Sequence, residues 1–150
     1  MTKKPKILPP VYLFMTLIVM LTLHAFAPIQ RILPVSFHHF GTLLIVLGAV
    51  IMVASAGLFR KVGTPVVPFE PSTVLVTTGF FKFTRNPMYL GMTMILIGAA
   101  IRLGTLSPFI PIPFFVWWIH TQFIMREEVF LEGIFGRKYL DYKAKVRRWI

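Results

Sequence analysis

A helical hairpin is predicted by residues 85–128, which read RNPMYLGMTMILIGAAIRLGTLSPFIPIPFFVWWIHTQFIMREE. Two apolar runs lie in this stretch, and Gly104 lies in the short turn between them, where glycine commonly ends a helix. Pro87 suits the first turn of a helix because its missing N–H has no partner to lose there. The outer ends of the two runs must then lie close together. We therefore expect Tyr89 and Glu127 to share one neighbourhood.

The whole chain is too apolar for an ordinary soluble domain: 56% of its 150 residues are hydrophobic and its mean hydropathy is +0.75. About 20 apolar residues cross a bilayer as a helix. We predict a single all-α domain, residues 1–150, that is an integral membrane protein with about four transmembrane helices. These spans are approximately residues 7–27, 40–59, 88–104 and 109–125. The chain has no cysteine, which excludes disulfides and thiolate nucleophiles.

The basic residues predict the orientation of these spans. Fourteen of the 16 Lys and Arg residues fall in the termini and in the loop 60–86, whereas Arg31 and Arg102 fall on the other side. Cytoplasmic segments carry such an excess, so both termini are expected in the cytoplasm. The net charge of +11 favours contact with anionic lipid headgroups. No nucleic-acid-binding motif accompanies this charge, so nucleic acid is not a predicted partner.

The loop 60–86 is long, and Pro65, Pro68 and Pro71 favour an extended backbone within it. Residues 73–79 are predicted to form a short extended segment that ends in a turn. Loops longer than about 12–15 residues in compact proteins are often functional, so we interpret this one as a lid or binding loop.

The C-terminal tail, residues 127–150, begins with an amphipathic pattern over about residues 127–145. Gly133 and Gly136 weaken this helix and predict a break in it. The tail is either an interfacial anchor with Trp149 as its aromatic peg, or a cover over a functional site. Both roles are compatible.

The charged groups at the hairpin ends have two interpretations. Arg85 can be an interfacial anchor, and Tyr89 can belong to an aromatic belt. Glu127 and Glu128 can be ion-pair partners of nearby basic residues. Carboxylates gain nothing from anionic lipid, however, and ionisable residues at span ends favour a functional site. No metal site is expected, since His38 and His39 have no carboxylate near them in the sequence.

Two motifs give the chain a family resemblance. LVTTGFFKFTRNPMYLG, residues 75–91, and REEVFLEGIFGRKYLDYKAKVRRW, residues 126–149, resemble the isoprenylcysteine carboxyl methyltransferase family, with phospholipid methyltransferases as more distant relatives. The resemblance covers roughly residues 63–149. It implies an integral membrane enzyme that transfers a methyl group from S-adenosylmethionine to a lipophilic acceptor. The compact chain is similar to prokaryotic members, which implies the plasma membrane of a prokaryote.

The resemblance also implies a cofactor pocket that the backbone near residue 75 and both ends of the hairpin would form. A carboxylate suits the ammonium or ribose hydroxyls of the cofactor, a helix start suits its carboxylate, and an aromatic face suits its sulfonium. The implied cofactor-binding positions are Thr73, Val74, Leu75, Val76, Phe81, Asn86, Pro87, Met88, Tyr89 and Glu127.

Three candidate catalytic residues complete the predicted site. Arg85 or Arg126 would orient a carboxylate acceptor, and Glu128 would take the proton from an amine or thiol acceptor. Two positions depart from the family pattern: Asn86 stands where prenylcysteine methyltransferases usually carry His, and Phe123 stands where eukaryotic members carry an acceptor-contacting Arg. Both departures concern the acceptor more than the cofactor. A prenylated thiol acid, a phospholipid amine and a hydrophobic thiol all remain open as acceptors.

Two rival functions are compatible with the same motifs. Sterol reductases resemble the C-terminal architecture, so an NADPH-dependent membrane reductase is one alternative, although Lys82 and Arg85 are few basic residues for a dinucleotide. The other is a non-catalytic membrane scaffold in which the charged motifs seal the hairpin.

Overall fold

The computed structural model describes residues 7–63, 65 and 74–150, and within them the ordered elements are helical. The all-α prediction is confirmed for these residues. Thr73, Pro68 and Pro71 lie outside the described residues. The helices are α1 (Pro9–Phe26), α2 (His38–Lys61), α3 (Pro87–Leu103), α4 (Pro111–Ile119), α5 (Met125–Phe135) and α6 (Arg137–Lys145). A π-helical turn, His120–Ile124, joins α4 to α5.

The helix boundaries follow local sequence signals. Pro87 and Pro111 occupy the first turns of α3 and α4. Gly104, with φ +74°, ends α3, and Gly136, with φ +51°, separates α5 from α6. Gly133 lies inside α5, so the break predicted near the two glycines occurs at Gly136.

Helices α1 and α2 belong to the segments Pro9–Phe26 and Val35–Lys61, which are long and apolar enough to cross a membrane, with mean hydropathies of 1.7 and 2.5. Only 17% and 11% of the residues in their most apolar windows are buried inside the protein. Large apolar side chains such as Phe14, Ile18 and Val53 therefore face outwards. Such an exposed apolar surface is suited to lipid and not to water.

The hydrophobic core lies around α3, a shorter apolar helix whose Met92, Leu96 and Ala100 are buried. Side chains from α1, α4 and the π turn pack on this helix, including Met20, Ile119 and Phe123. The start of α3 is thereby held in a fixed position relative to the start of α5.

Helices α2 and α3 run antiparallel at backbone contact. Gly41 faces Gly98 and Gly48 faces Gly91, so the partner number falls as the α2 number rises. A Cβ on Gly48 would lie 2.5 Å from the carbonyl oxygen of Gly91, and a Cβ on Gly91 would lie 2.5 Å from that of Gly48. Small residues permit such close helix packing in membranes.

The connection between α1 and α2 and the connection between α3 and α4 lie at the same end of the helices and are joined by hydrogen bonds. The N–H groups of Ile32 and Leu33 donate to the Gly104 carbonyl at 3.0 and 3.2 Å. The Ser107 hydroxyl donates to the Ala27 carbonyl at 2.8 Å and accepts from the Ile29 N–H at 2.9 Å. This end of the fold is therefore closed, and the cavity described below lies at the opposite end.

Candidate functional site

A cavity lies where α3 begins. It encloses about 670 Å³ of empty space, part of which is open solvent at its mouth. Its walls come from the start of α1, the end of α2, the turn before α3, and α5. Seven residues that the sequence predicted for the site line this cavity: Phe81, Arg85, Asn86, Pro87, Met88, Tyr89 and Glu127.

Tyr89 and Glu127 meet across this cavity. The Tyr89 hydroxyl donates a hydrogen bond of 3.1 Å to Glu127 Oε2. Glu127 lies in the first turn of α5, beyond the predicted fourth span. Burial raises the pKa of Glu127 to about 7, with the hydrogen bond from Tyr89 opposing this rise and the charge of Glu128 adding to it. At neutral pH both the protonated and the ionised form of this carboxyl are therefore populated, and a bound cation would favour the ionised form.

The π turn that precedes α5 is a feature that sequence reasoning missed. Its Phe123 and Ile124 are buried, and the ring of Phe123 packs 6.4 Å from that of Tyr89, centroid to centroid. Because a π turn contains an extra residue, it changes the faces on which the following residues lie. π turns are frequent at functional sites, and this one lies next to the cavity residues Tyr89 and Glu127.

The neighbouring Glu128 has a different environment. Both of its oxygens accept hydrogen bonds from Arg148, at 2.8 Å each, and Arg85 Nη2 lies 3.2 Å away. Lys143 Nζ approaches to 3.9 Å and also pairs with Glu132. Burial alone would raise the pKa of Glu128, but the hydrogen bonds from Arg148 and the nearby positive charges outweigh it and lower the pKa. Glu128 therefore remains a carboxylate of low proton affinity.

The C-terminal residues return to the turn before α3 and hold it. The Arg85 N–H donates to the Arg147 carbonyl at 3.0 Å, while the Thr84 hydroxyl and Asn86 Nδ2 donate to the Arg148 carbonyl at 3.2 and 2.9 Å. Trp149 packs against the core. We call residues 147–149 the C-terminal strap. Sequence reasoning missed this contact, although the second motif already extended to residue 149.

Helix α6 supports the same turn from its own side. The Tyr142 hydroxyl donates to the Phe81 carbonyl at 2.7 Å, and the burial of Tyr142 raises its pKa to about 12, with the charge of Arg85 opposing this rise. The Tyr139 ring, which is 1% exposed, packs beside Tyr142. The tail after residue 136 therefore supports the turn before α3.

The remaining predicted site residues that the structure describes do not line the cavity. Val76 is buried, Leu75 is half-buried, and Val74 is exposed. Arg126, which directly precedes Glu127, is also exposed.

An apolar helical frame whose side chains face outwards, with a largely apolar cavity at one end that also has charged residues in its walls, defines the class of small helical membrane proteins. Within that class the chain belongs to the phospholipid methyltransferase family, whose family model matches residues 37–138.

Three relatives are similar to parts of this chain, and two of them are named as methyltransferases. Protein-S-isoprenylcysteine O-methyltransferase A of Arabidopsis thaliana is 29% identical over 110 residues, which are 72% of this chain and 56% of that protein. The protein-S-isoprenylcysteine O-methyltransferase of Saccharomyces cerevisiae is 34% identical over 77 residues, 51% of this chain and 32% of that protein. An uncharacterised protein of Haemophilus influenzae is 40% identical over 63 residues, 42% of this chain and its own full length.

A solved structure has a similar fold. The eukaryotic intramembrane Ras methyltransferase, isoprenylcysteine carboxyl methyltransferase, matches with a TM-score of 0.64 and 25% identity over 94% of this chain and 51% of that chain. The chain thus spans about half the length of this structure and of the Arabidopsis relative. The predicted family resemblance is confirmed, and so is membrane character.

Proposed function

We propose that this protein is an S-adenosylmethionine-dependent methyltransferase that acts on a lipophilic acceptor at the membrane surface. The observation that carries this proposal is the Tyr89–Glu127 pair in a cavity whose walls contain the residues of both family motifs. The named relatives and the structural neighbour are methyltransferases, which supports the reaction class.

The groups around the cavity suit S-adenosylmethionine. Glu127 would accept hydrogen bonds from its ammonium or ribose hydroxyls. The start of α3, which has Pro87 in its first turn and no side-chain cap, would face its carboxylate with positive dipole character. The rings of Tyr89 and Phe81 would contact the sulfonium region. Residues 73–76 would lie along the adenosine.

The bound cofactor would supply an activated methyl group on a sulfonium, so the protein has little acid–base chemistry to perform. Its residues would align the acceptor with the methyl group and exclude water. The apolar walls that Met88, Met92 and Pro87 contribute to the cavity suit this task. The exposed Arg126 would attract the polar end of an acceptor at the membrane surface.

The adjacent carboxylates Glu127 and Glu128 would have different roles. Because its pKa is lowered, Glu128 is a poor proton acceptor, and its contacts suit it to holding Arg85 and Arg148 in place. If the acceptor is an amine or thiol, Glu127 is the better candidate base, since its pKa of about 7 matches neutral conditions.

The proposed membrane arrangement has four spans in a single domain, with both termini and the cavity at the cytoplasmic face of a prokaryotic plasma membrane. The fourteen basic residues on one side support it, as do the outward-facing apolar surfaces of α1 and α2. Helix α6 buries Tyr139 and exposes Arg137 and Lys138, which suits an amphipathic helix beside anionic headgroups.

Ligand titration tests the proposed function. Purified protein is expected to bind S-adenosylmethionine and S-adenosylhomocysteine in calorimetry and to show no preference for NADPH. Preferential binding of NADPH would favour the reductase, and absence of binding to all three ligands would favour the scaffold.

A second experiment tests the acceptor: protein is incubated with methyl-labelled cofactor and a total lipid extract. Label is expected in the organic phase, and label found solely in water-soluble products would contradict a lipophilic acceptor.

A further inference from the structure

The guanidinium of Arg85 is buried next to the cavity with much of its hydrogen-bonding capacity unused. Its side chain is 8% exposed and lines the cavity. Nη2 contacts Glu128, whereas Nε and Nη1 are buried without a hydrogen-bond partner in the part of the chain that the structure describes. Buried charged donors are normally satisfied, so two open nitrogens on one arginine indicate a missing partner.

Among the residues that the structure describes, the charges around Arg85 do not supply that partner. The ion-paired cluster formed by these residues contains three cations, Arg85, Lys143 and Arg148, and two carboxylates, Glu128 and Glu132, which leaves an excess of one positive charge. Both oxygens of Glu128 already accept from Arg148. The carboxyl of Glu127, on the cavity wall, is engaged by Tyr89. The cavity therefore presents an undersatisfied cation together with a separate carboxyl group.

We propose that an open donor of Arg85, Nε on one edge of the guanidinium or Nη1 on the other, binds a carboxylate of a ligand in this cavity. The inference rests on the proposed methyltransferase function, and this carboxylate belongs either to the amino-acid end of the cofactor or to the acceptor. A single negative charge balances the excess of the cluster. The planar guanidinium forms charge-assisted hydrogen bonds to carboxylate oxygens at fixed angles, which a lysine ammonium cannot reproduce. In this arrangement Glu127 binds the cationic or hydroxyl groups of the ligand and Arg85 binds its anionic group.

Two variants test the assignment. Arg85→Gln removes the charge, and Arg85→Lys keeps the charge beside Glu128 but removes the planar donors. Glu128 keeps Arg148 and Lys143 as partners in both. Arg137→Gln is the matched control, because Arg137 is exposed and pairs with Asp141 on the surface. Calorimetry compares S-adenosylmethionine with its decarboxylated form, and N-acetyl-S-farnesylcysteine with its carboxamide.

If the carboxylate is that of the cofactor, wild-type protein and Arg137→Gln should bind S-adenosylmethionine about ten- to hundredfold more tightly than the decarboxylated form, and Arg85→Gln should lose most of this preference. If it is that of the acceptor, the preference for farnesylcysteine acid over its amide should disappear instead. Unchanged preferences in a folded Arg85→Gln protein would overturn the proposal.

Variants that fail to fold do not prevent a decision. Wild-type protein that binds the decarboxylated cofactor as tightly as the intact one, and the amide as tightly as the acid, also overturns the assignment of Arg85. Absence of any cofactor binding by wild-type protein would instead contradict the proposed function itself. Cofactor binding that is retained unchanged in Arg85→Gln, with both preferences intact, contradicts the Arg85 assignment alone.

Discussion

The hydroxyl of Tyr89 donates a hydrogen bond of 3.1 Å to Oε2 of Glu127, across 38 positions of sequence. This bond connects the start of α3 to the start of α5 at the wall of the cavity. It leaves Glu127 Oε1 free of Tyr89, so the same carboxyl can contact the phenol and a ligand at once.

Removing the charge of Glu127 should weaken cofactor binding. Glu127→Gln keeps the shape of the side chain, so we expect a loss of about 1.5–3 kcal/mol, or ten- to hundredfold in affinity, if the carboxylate binds the cofactor. Tyr89→Phe should cost less if the ring packs on the sulfonium region, and a similar amount if the hydroxyl bonds the ligand. Calorimetric titration measures both. Asp141→Asn, which alters only the surface pair with Arg137, is the control; wild-type affinity in Glu127→Gln would remove Glu127 from the cofactor site.

Cofactor affinity should also depend on pH through Glu127. Since the pKa of this carboxyl is about 7 in the free protein, binding that needs the carboxylate should strengthen as the pH rises towards 7 and level off above it. Stability changes in the opposite direction: the raised pKa makes the contribution of Glu127 to the free energy of unfolding complete below about 4.5, and that contribution is lost as the pH rises through about 7. Titrations and thermal melts between pH 5 and 8 measure both effects, and Glu127→Gln should flatten both curves. A wild-type binding curve as flat as that of the variant would count against the role of this ionisation.

The C-terminal strap should be required for an ordered site. Deleting residues 147–150 removes the carbonyls that accept from Thr84, Arg85 and Asn86, so we expect lower thermal stability and weaker cofactor binding. Arg148→Gln removes the paired hydrogen bonds to Glu128 and should cost about 1–3 kcal/mol of stability. Melting temperature and cofactor affinity are the measurements. Deletion of Ile150 alone, a residue that is 80% exposed, serves as the control; a truncated protein with wild-type affinity would contradict the positioning role.

The contact between α2 and α3 should not tolerate larger side chains. A methyl group on Gly48 would meet the Gly91 carbonyl oxygen at 2.5 Å, so Gly48→Ala should destabilise the protein by about 1–3 kcal/mol through overpacking. Gly57 lies on the same helix, and apart from its own local helix backbone no atom of the described residues lies within 4 Å of an added Cβ. Gly57→Ala should therefore be neutral or stabilising by up to about 1 kcal/mol, because alanine favours helix. Thermal denaturation in detergent compares the two variants, and equal melting temperatures would contradict the close contact.

The proposed topology predicts the location of fused reporters. Reporters at the N-terminus, near Pro71 and at the C-terminus should give cytoplasmic signals, and a reporter near Pro34 should not, because the basic residues are concentrated on one side. Alkaline phosphatase and fluorescent-protein fusions provide the measurement. A non-cytoplasmic signal near Pro71 would contradict the four-span arrangement and the cytoplasmic location of the cavity.

Local chemistry made part of this architecture predictable. Pro87, Gly104 and Gly136 mark helix boundaries because proline lacks an N–H and glycine adopts positive φ without strain. The short turn near Gly104 requires the two apolar runs to pack side by side. The proximity of Tyr89 and Glu127 followed from these two constraints. A short connection forces the two runs to lie antiparallel, which brings their outer ends together.

The different environments of Glu127 and Glu128 were not predictable in the same way. The two carboxylates are adjacent in sequence, yet one contacts Tyr89 in the cavity and the other contacts Arg85 and Arg148. Their assignment depends on the rotation of α5, and the π turn before this helix changes that rotation. A hydrophobic pattern interpreted with the regular α-helical repeat does not reveal this π turn.

The sequence by itself determined the helical class, the apolar membrane-facing character, the hairpin and the family, because these depend on composition and on contacts between neighbouring segments. The tertiary structure alone decided which side chains surround the cavity and which hold it together. Asn86 bonds the Arg148 carbonyl 62 positions away, and Gly48 meets Gly91 on another helix. Such contacts arise only when whole helices pack at a particular distance and rotation, which is a property of the assembled helices and of no single segment.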